Sequence, residues 1–265
     1  MHNGIDTMDT GTPPRRFYLI THPRTASNLL VRILALNDQP AVQKHKANAG
    51  GGYFFLPATH LEGNLGLRGK NLDYWTEDEK NQMREKVQEC FNNMEEYVAT
   101  AQANDKIAFI KEHSLLLIEP TAKTRVLSGK ANCQDLPWTV QVPGKYGSKL
   151  TRSPLNQTLF PDEVLGTWLP TFLVRHPALV LPSQYRAMRD IKVIDTNVKD
   201  NSPLEIALSF RWIRSLYDWW SEYLGKFGSE MDGDQTWVSF STPLLKHVSY
   251  YSVHSLLFWK PTTSC

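Results

Sequence analysis

The chain has 265 residues, 41% of them hydrophobic, and its 29 basic and 27 acidic side chains leave a net charge of +2. That length and apolar content support one sizeable core, and the near balance of charge leaves no polyelectrolyte signal for nucleic acid or an anionic membrane. Cys90, Cys133 and Cys265 are too few and too scattered for a disulfide framework or a zinc site, which points to a reducing compartment.

Residues 1–16, MHNGIDTMDTGTPPRR, are polar with Gly and Pro and read as a disordered lead-in, leaving 17–265 as a single domain. The lead-in has no apolar signal core, and nowhere do about 18 apolar residues run together, so the cytoplasm is the expected location. In FYLITHPRTASNLL, Phe17, Leu19 and Ile20 suggest a buried strand, and Leu29, Leu30, Ile33 and Leu34 recur with helical spacing. The local reading is strand, tight turn, helix, with Arg24 beside free backbone N–H groups that favour an anion. Thr25, Ser27 or Asn28 capping a core helix while Arg24 faces water fits the same stretch. The turn lacks the glycines and lysine of the common nucleotide-binding loop, which counts against an ATPase, a GTPase or a small-molecule kinase.

Residues 50–70, glycine-rich with an apolar interior, suit a mobile loop over a pocket or an ordinary surface excursion. Thr76 opens a packing helix to Asn104, with an acidic first turn and Met83, Val87, Cys90, Met94, Tyr97 and Val98 near helical spacing. KIAFIKEH and TWLPTFLVRHP are β-like runs ending in cations, and 128–162 between them is a long irregular connection that could line a site. Residues 202–228, SPLEIALSFRWIRSLYDWWSEYLGKFG, form one aromatic amphipathic helix from a Ser-Pro start to a terminal glycine, and TWVSFS, residues 236–241, reads as a further strand. Strands interleaved with helices predict a three-layer α/β/α fold around a mainly parallel sheet, with ligands at the carboxyl ends of its strands.

Three segments, in order, make the chain resemble the sulfotransferases that use 3'-phosphoadenosine 5'-phosphosulfate (PAPS). HPRTASNLL is similar to the 5'-phosphosulfate loop P-[KR]-[ST]-G-[ST]-[TN], with Pro23, Arg24, Thr25, Ala26, Ser27 and Asn28 in its places. IKEHSLLL is similar to the K-T-H segment, with Lys111 and His113 on the functional positions and Glu112 replacing the middle residue. FLVRHPALVLPSQYR is similar to the 3'-phosphate segment, with Arg175 and Ser183 eight apart. The resemblance covers about Phe17 to Tyr217 and implies the P-loop-like sulfotransferase fold. It makes His113, Lys111 and Arg24 the catalytic residues, and Arg24, Thr25, Ala26, Ser27, Asn28, Arg175 and Ser183 the donor-binding ones, with PAPS as donor co-substrate and no metal.

The residue chemistry agrees. Lys111 and His113 are two apart, so an extended strand points both to one face. His113 suits a general base for an acceptor hydroxyl, and Lys111 the charge developing at the transferred group. A structural strand-end histidine, a surface ion pair at Arg175 and a helix cap at Ser183 after Pro182 are the alternatives. Ala26, where the family has glycine, implies strain or a shifted loop path. The family's C-terminal R-K-G-x-x-G segment has no counterpart after Tyr217, and the tail from about Lys246 reads as atypical. Truncation, alternative splicing and an altered donor site all fit that departure.

The expected function is transfer of a sulfonate from PAPS to a small, apolar or aromatic, hydroxylated acceptor, as in secondary metabolism. The other readings are a sulfotransferase-derived biosynthetic enzyme running PAPS-independent dehydration or cyclisation through His113, or a non-catalytic binding protein. A homodimer stays open.

Overall fold

The computed structural model describes residues 16–36, 38–45, 52–128, 135–190 and 202–227. The expected lead-in up to residue 15, the glycines at 50 and 51, the strand at 236–241 and the atypical segment from 246 fall outside these residues. Arg16, assigned above to the lead-in, belongs to the first strand.

Three strands, β1 (Arg16–Thr21), β2 (Ala108–His113) and β3 (Leu169–Leu173), form an all-parallel sheet in the order β2-β1-β3. The register sets Thr21 beside both His113 and Leu173, so the carboxyl ends of the three strands form one rim. Side-chain alternation along β1 builds two cores. Tyr18 and Ile20 join Met83, Phe91 and Met94 on one face, while Leu19 packs with Leu30 and Val31 on the other. Helices therefore cover both faces, as the alternation of elements predicts, and each fully buried Leu or Ile contributes on the order of 1.5–3 kcal/mol.

The helices are α1 (Ser27–Ile33), α2 (Leu56–Asn64), α3 (Glu77–Ala103), α4 (Ser114–Leu117), α5 (Pro120–Ser128), α6 (Asp162–Leu165), α7 (Pro177–Asp190), α8 (Ser202–Leu208) and α9 (Arg211–Phe227). α3 starts where the capping pattern places it, with Thr76 as N-cap. Elsewhere the structure corrects the sequence reading. Residues 56–64 are the helix α2 rather than a mobile loop; Pro57 sits in its first turn, where a missing N–H costs nothing. The single helix expected over 202–228 breaks at Ser209 and Phe210: the Ser209 hydroxyl accepts from the Arg211 N–H at 3.2 Å and starts α9 afresh. In α1 only Ser27, Leu30 and Val31 are buried, and Leu29 and Ile33 are 57% and 52% exposed. α7 runs through Pro182, so Ser183 lies inside a helix and is not its cap.

The connection over 135–161 is irregular, as expected, apart from one 3-10 turn at Gly144–Tyr146 and an isolated antiparallel bridge from Thr158 to Ile118; residue 162 already belongs to α6. Arg152 holds it together, donating to the carbonyls of Trp138 at 2.8 Å and Asn156 at 3.2 Å. Thr151 and Ser153 of this connection line a pocket with Asp162 and Trp219, none of them a candidate site residue. Among the described residues no helix is long and apolar enough to cross a membrane.

Candidate active site

After β1 the chain turns through residues whose backbone is unusual for their type. Arg24 has φ 66° and Ala26 has φ 63°, both in the left-handed region. Thr25, between them, is buried and donates its hydroxyl to the His22 carbonyl at 2.8 Å, which pins the turn. Ala26 occupies the N-cap of α1 and has no side-chain acceptor to offer, and among the described residues no side chain caps the helix start. α1 has only 7 residues, so its dipole is short and any anion-binding power at this rim must come mostly from cationic side chains.

Those side chains converge from separate segments. Arg24 donates from Nε to Ser183 Oγ on α7 at 3.1 Å, and Arg175, two residues past the end of β3, reaches the Arg24 carbonyl with Nη1 at 3.5 Å. Both guanidinium groups are exposed. The parallel sheet explains the meeting, because every strand delivers its C-terminal residues to the same rim. Lys111 on β2 joins from the other side: Nζ donates to Asn28 Oδ1 at 2.5 Å. Its amine is 6% exposed as a residue, and burial lowers its pKa against the opposing influence of Glu112.

His113 closes β2, and its Nδ1 lies 2.6 Å from Thr21 Oγ1. Where that hydroxyl gives its one proton to the Glu112 carbonyl, 3.2 Å away, it accepts from Nδ1–H and Nε2 keeps its lone pair, the form a general base needs. Burial first, then the charges of Lys111 and His22, push the imidazole down to about 3. His22 is itself buried, with Nδ1 3.0 Å from the Pro23 carbonyl and its ring stacked on Phe210 at 4.2 Å.

The structure thus joins Arg24, Arg175 and Ser183, and separately Lys111 with Asn28, around the β1 turn. Thr25 and Ser27 face inward, their hydroxyls engaged with the His22 carbonyl and with Tyr53. Three contacts had no place in the sequence reading. Thr21 bonds the His113 ring, and the parallel register of β1 and β2 was the signal for it. Tyr53 lies against Lys111 and His113 with its ring centroid 4.3 Å from Nζ and 4.7 Å from the imidazole. Glu112 is fully buried, accepts from the Phe55 N–H at 3.0 Å, and burial raises its carboxyl to about 8. No local pattern announces either of the last two. Among the described residues no group of three or more His, Cys, Asp or Glu could hold a metal ion.

Two curated relatives match the chain. One, named sulfotransferase ppzF, from Metarhizium rileyi (strain RCEF 4871), is 39% identical over 207 residues, which is 78% of this chain and 59% of the relative. The other, of the same name from Metarhizium majus (strain ARSEF 297), is 40% identical over 214 residues, 80% of this chain and 61% of the relative. The chain belongs to the sulfotransferase family. It spans about 60% of the length of these relatives. No family model matches it, and no solved structure does. In this sulfotransferase-family chain the rim therefore carries Arg24 and Arg175 on the β3 side of the β1 turn and Lys111 with the His113 imidazole on the β2 side.

Proposed function

We propose that the chain transfers a sulfonate group from PAPS to a hydroxyl of a small apolar or aromatic acceptor. The observation that carries this reading is the joining of Arg24, Ser183 and Arg175, from three segments, at the turn that also meets Lys111 through Asn28. A nucleotide with anionic groups at both its 3' and 5' positions calls for two cationic sites, and the rim offers Arg24 with Lys111 and Arg175 with Ser183. Opening the Arg24–Ser183 bond frees both groups for the ligand.

PAPS as donor substrate supplies the sulfonate and leaves as 3',5'-diphosphoadenosine. The chain's own part is positioning and charge. Nε2 of His113 takes the acceptor's proton as its oxygen bonds to sulfur, Thr21 holding the ring for that task. Lys111 and Arg24 offset the negative charge that gathers on the leaving oxygen. An imidazole held near 3 is a weak base, but its second cause is the Lys111 charge; an anionic donor beside Lys111 offsets that charge and raises the basicity when it is needed.

Titration calorimetry with 3',5'-diphosphoadenosine tests the reading. Heat at micromolar nucleotide is expected, with Arg175→Ala weakening it by about tenfold or more. His113→Ala should keep nucleotide binding and lower sulfonate transfer by about 10²–10⁴-fold. No heat at high micromolar nucleotide, or turnover that persists without PAPS, overturns it.

A further inference from the structure

Tyr53 touches both halves of the site. Its ring lies over Lys111 and beside His113 on the β2 tip, and its hydroxyl pairs with Ser27 of the β1 turn. Two residues later the backbone is anchored: the Phe55 N–H donates to Glu112 Oε1 at 3.0 Å, and the Phe55 side chain is fully buried. Glu112 stands on β2 between Lys111 and His113, so its side chain points to the opposite face of the strand. The segment from Tyr53 to Phe55 therefore straddles the tip of β2, with Tyr53 on the Lys111 and His113 side and Phe55 tied to Glu112 on the other.

We infer that Tyr53 is a positioning residue for Lys111 and His113, and that Glu112, through the Phe55 amide, holds Tyr53 against them. The inference rests on the reading of Lys111 and His113 as the reacting pair. Lys111 has two restraints, the Asn28 amide oxygen at 2.5 Å and the Tyr53 ring face. The first fixes the distance of the ammonium from the β1 turn, and the second draws it toward the imidazole and keeps water from between them. Glu112 holds this place at a cost, since among the described residues its other oxygen and the Tyr18 hydroxyl are buried with no hydrogen-bond partner; it suits the task because a threonine there would be too short to reach the Phe55 amide.

The test uses Tyr53→Phe, Tyr53→Leu, Glu112→Gln and Glu112→Ala, with kcat, donor KM and the NMR titration of the His113 ring measured for each. Tyr53→Phe keeps the ring and Glu112→Gln keeps an acceptor oxygen, so both should stay near the parent. Tyr53→Leu should lower kcat about 10–100-fold with donor KM shifted much less, the mark of lost orientation. The same variant should raise the His113 pKa by about one unit as water enters. Glu112→Ala should reproduce both changes although Tyr53 is intact, and Glu112→Asp, one methylene short of the amide, serves if that variant does not fold. A His113 titration and kcat unchanged in Tyr53→Leu, or changes in Tyr53→Leu without any in the Glu112 variants, overturn the inference. If the parent chain forms no sulfonated product from PAPS, the functional reading falls, and the titrations alone still decide the placement of Tyr53.

Discussion

Ala26 holds a backbone conformation that L-amino acids avoid, with φ 63° and ψ 27°. The Cβ of an L-residue there crowds the following carbonyl at a cost of about 1–2 kcal/mol, which glycine escapes. Glycine in turn has more freedom to lose on folding, about 0.4–1 kcal/mol. Ala26→Gly should therefore raise stability by about 0.5–1 kcal/mol, read from the midpoint of urea unfolding; a lower midpoint would show that the turn relaxes around the methyl. The tension at Ala26 was legible in the sequence, since the residue stands where a glycine is expected. The matching conformation of Arg24, φ 66°, was not, because nothing in an arginine signals a left-handed backbone. Glu112 and Tyr53 were equally hidden: the Glu112 bond to Phe55 joins positions 57 apart, and no spacing rule connects them.

Among the elements, α3 shows why some boundaries can be read from a sequence. Its capping box is complete, with the Glu79 N–H donating to Thr76 Oγ1 at 3.2 Å and the Thr76 N–H to Glu79 Oε2 at 2.7 Å. All its partners lie within one turn, so the sequence contains the whole signal. Thr76→Ala should cost about 1 kcal/mol in unfolding free energy, while Thr76→Ser keeps the acceptor and should lose little; equal losses in both would place the energy in the threonine methyl rather than the cap. α2 is the opposite case. The N–H of Phe55, its N-cap, is held by the Glu112 carboxyl from β2, a tertiary bond that no local pattern announces. The break between α8 and α9 has a local part and a distant one: the Ser209 hydroxyl accepts from the Arg211 N–H, and the Phe210 ring stacks on His22, a residue of the β1 turn. The sheet was legible because each strand is a short apolar run, and its parallel order followed from the helices between.

For the whole molecule, buried ionisable groups set how stability varies with pH. His113, His22 and His45 all sit below their ordinary 6.5, chiefly through burial. In that range the unfolded chain binds more protons at these sites, so stability is lost as pH falls below about 6.5. Glu112 acts in the other direction. Its carboxyl moves from 4.5 to about 8 on folding, so the folded chain holds the extra proton and stability falls as pH rises from 4.5 through about 8. Below 6.5 the imidazoles and the carboxyl act in opposite directions; between 6.5 and 8 the carboxyl acts with the imidazoles largely neutral in both states. The urea midpoint should therefore decline from pH 6.5 toward pH 8. Glu112→Gln has no proton to lose in that interval, so its midpoint should stay level from 6.5 to 8 and fall more steeply on the acid side. A parent midpoint that stays level or rises from 6.5 to 8, or a decline that survives in Glu112→Gln, would mean that the buried carboxyl beneath the β2 tip is already ionised at neutral pH, and that the Phe55 amide is bonded to a charge.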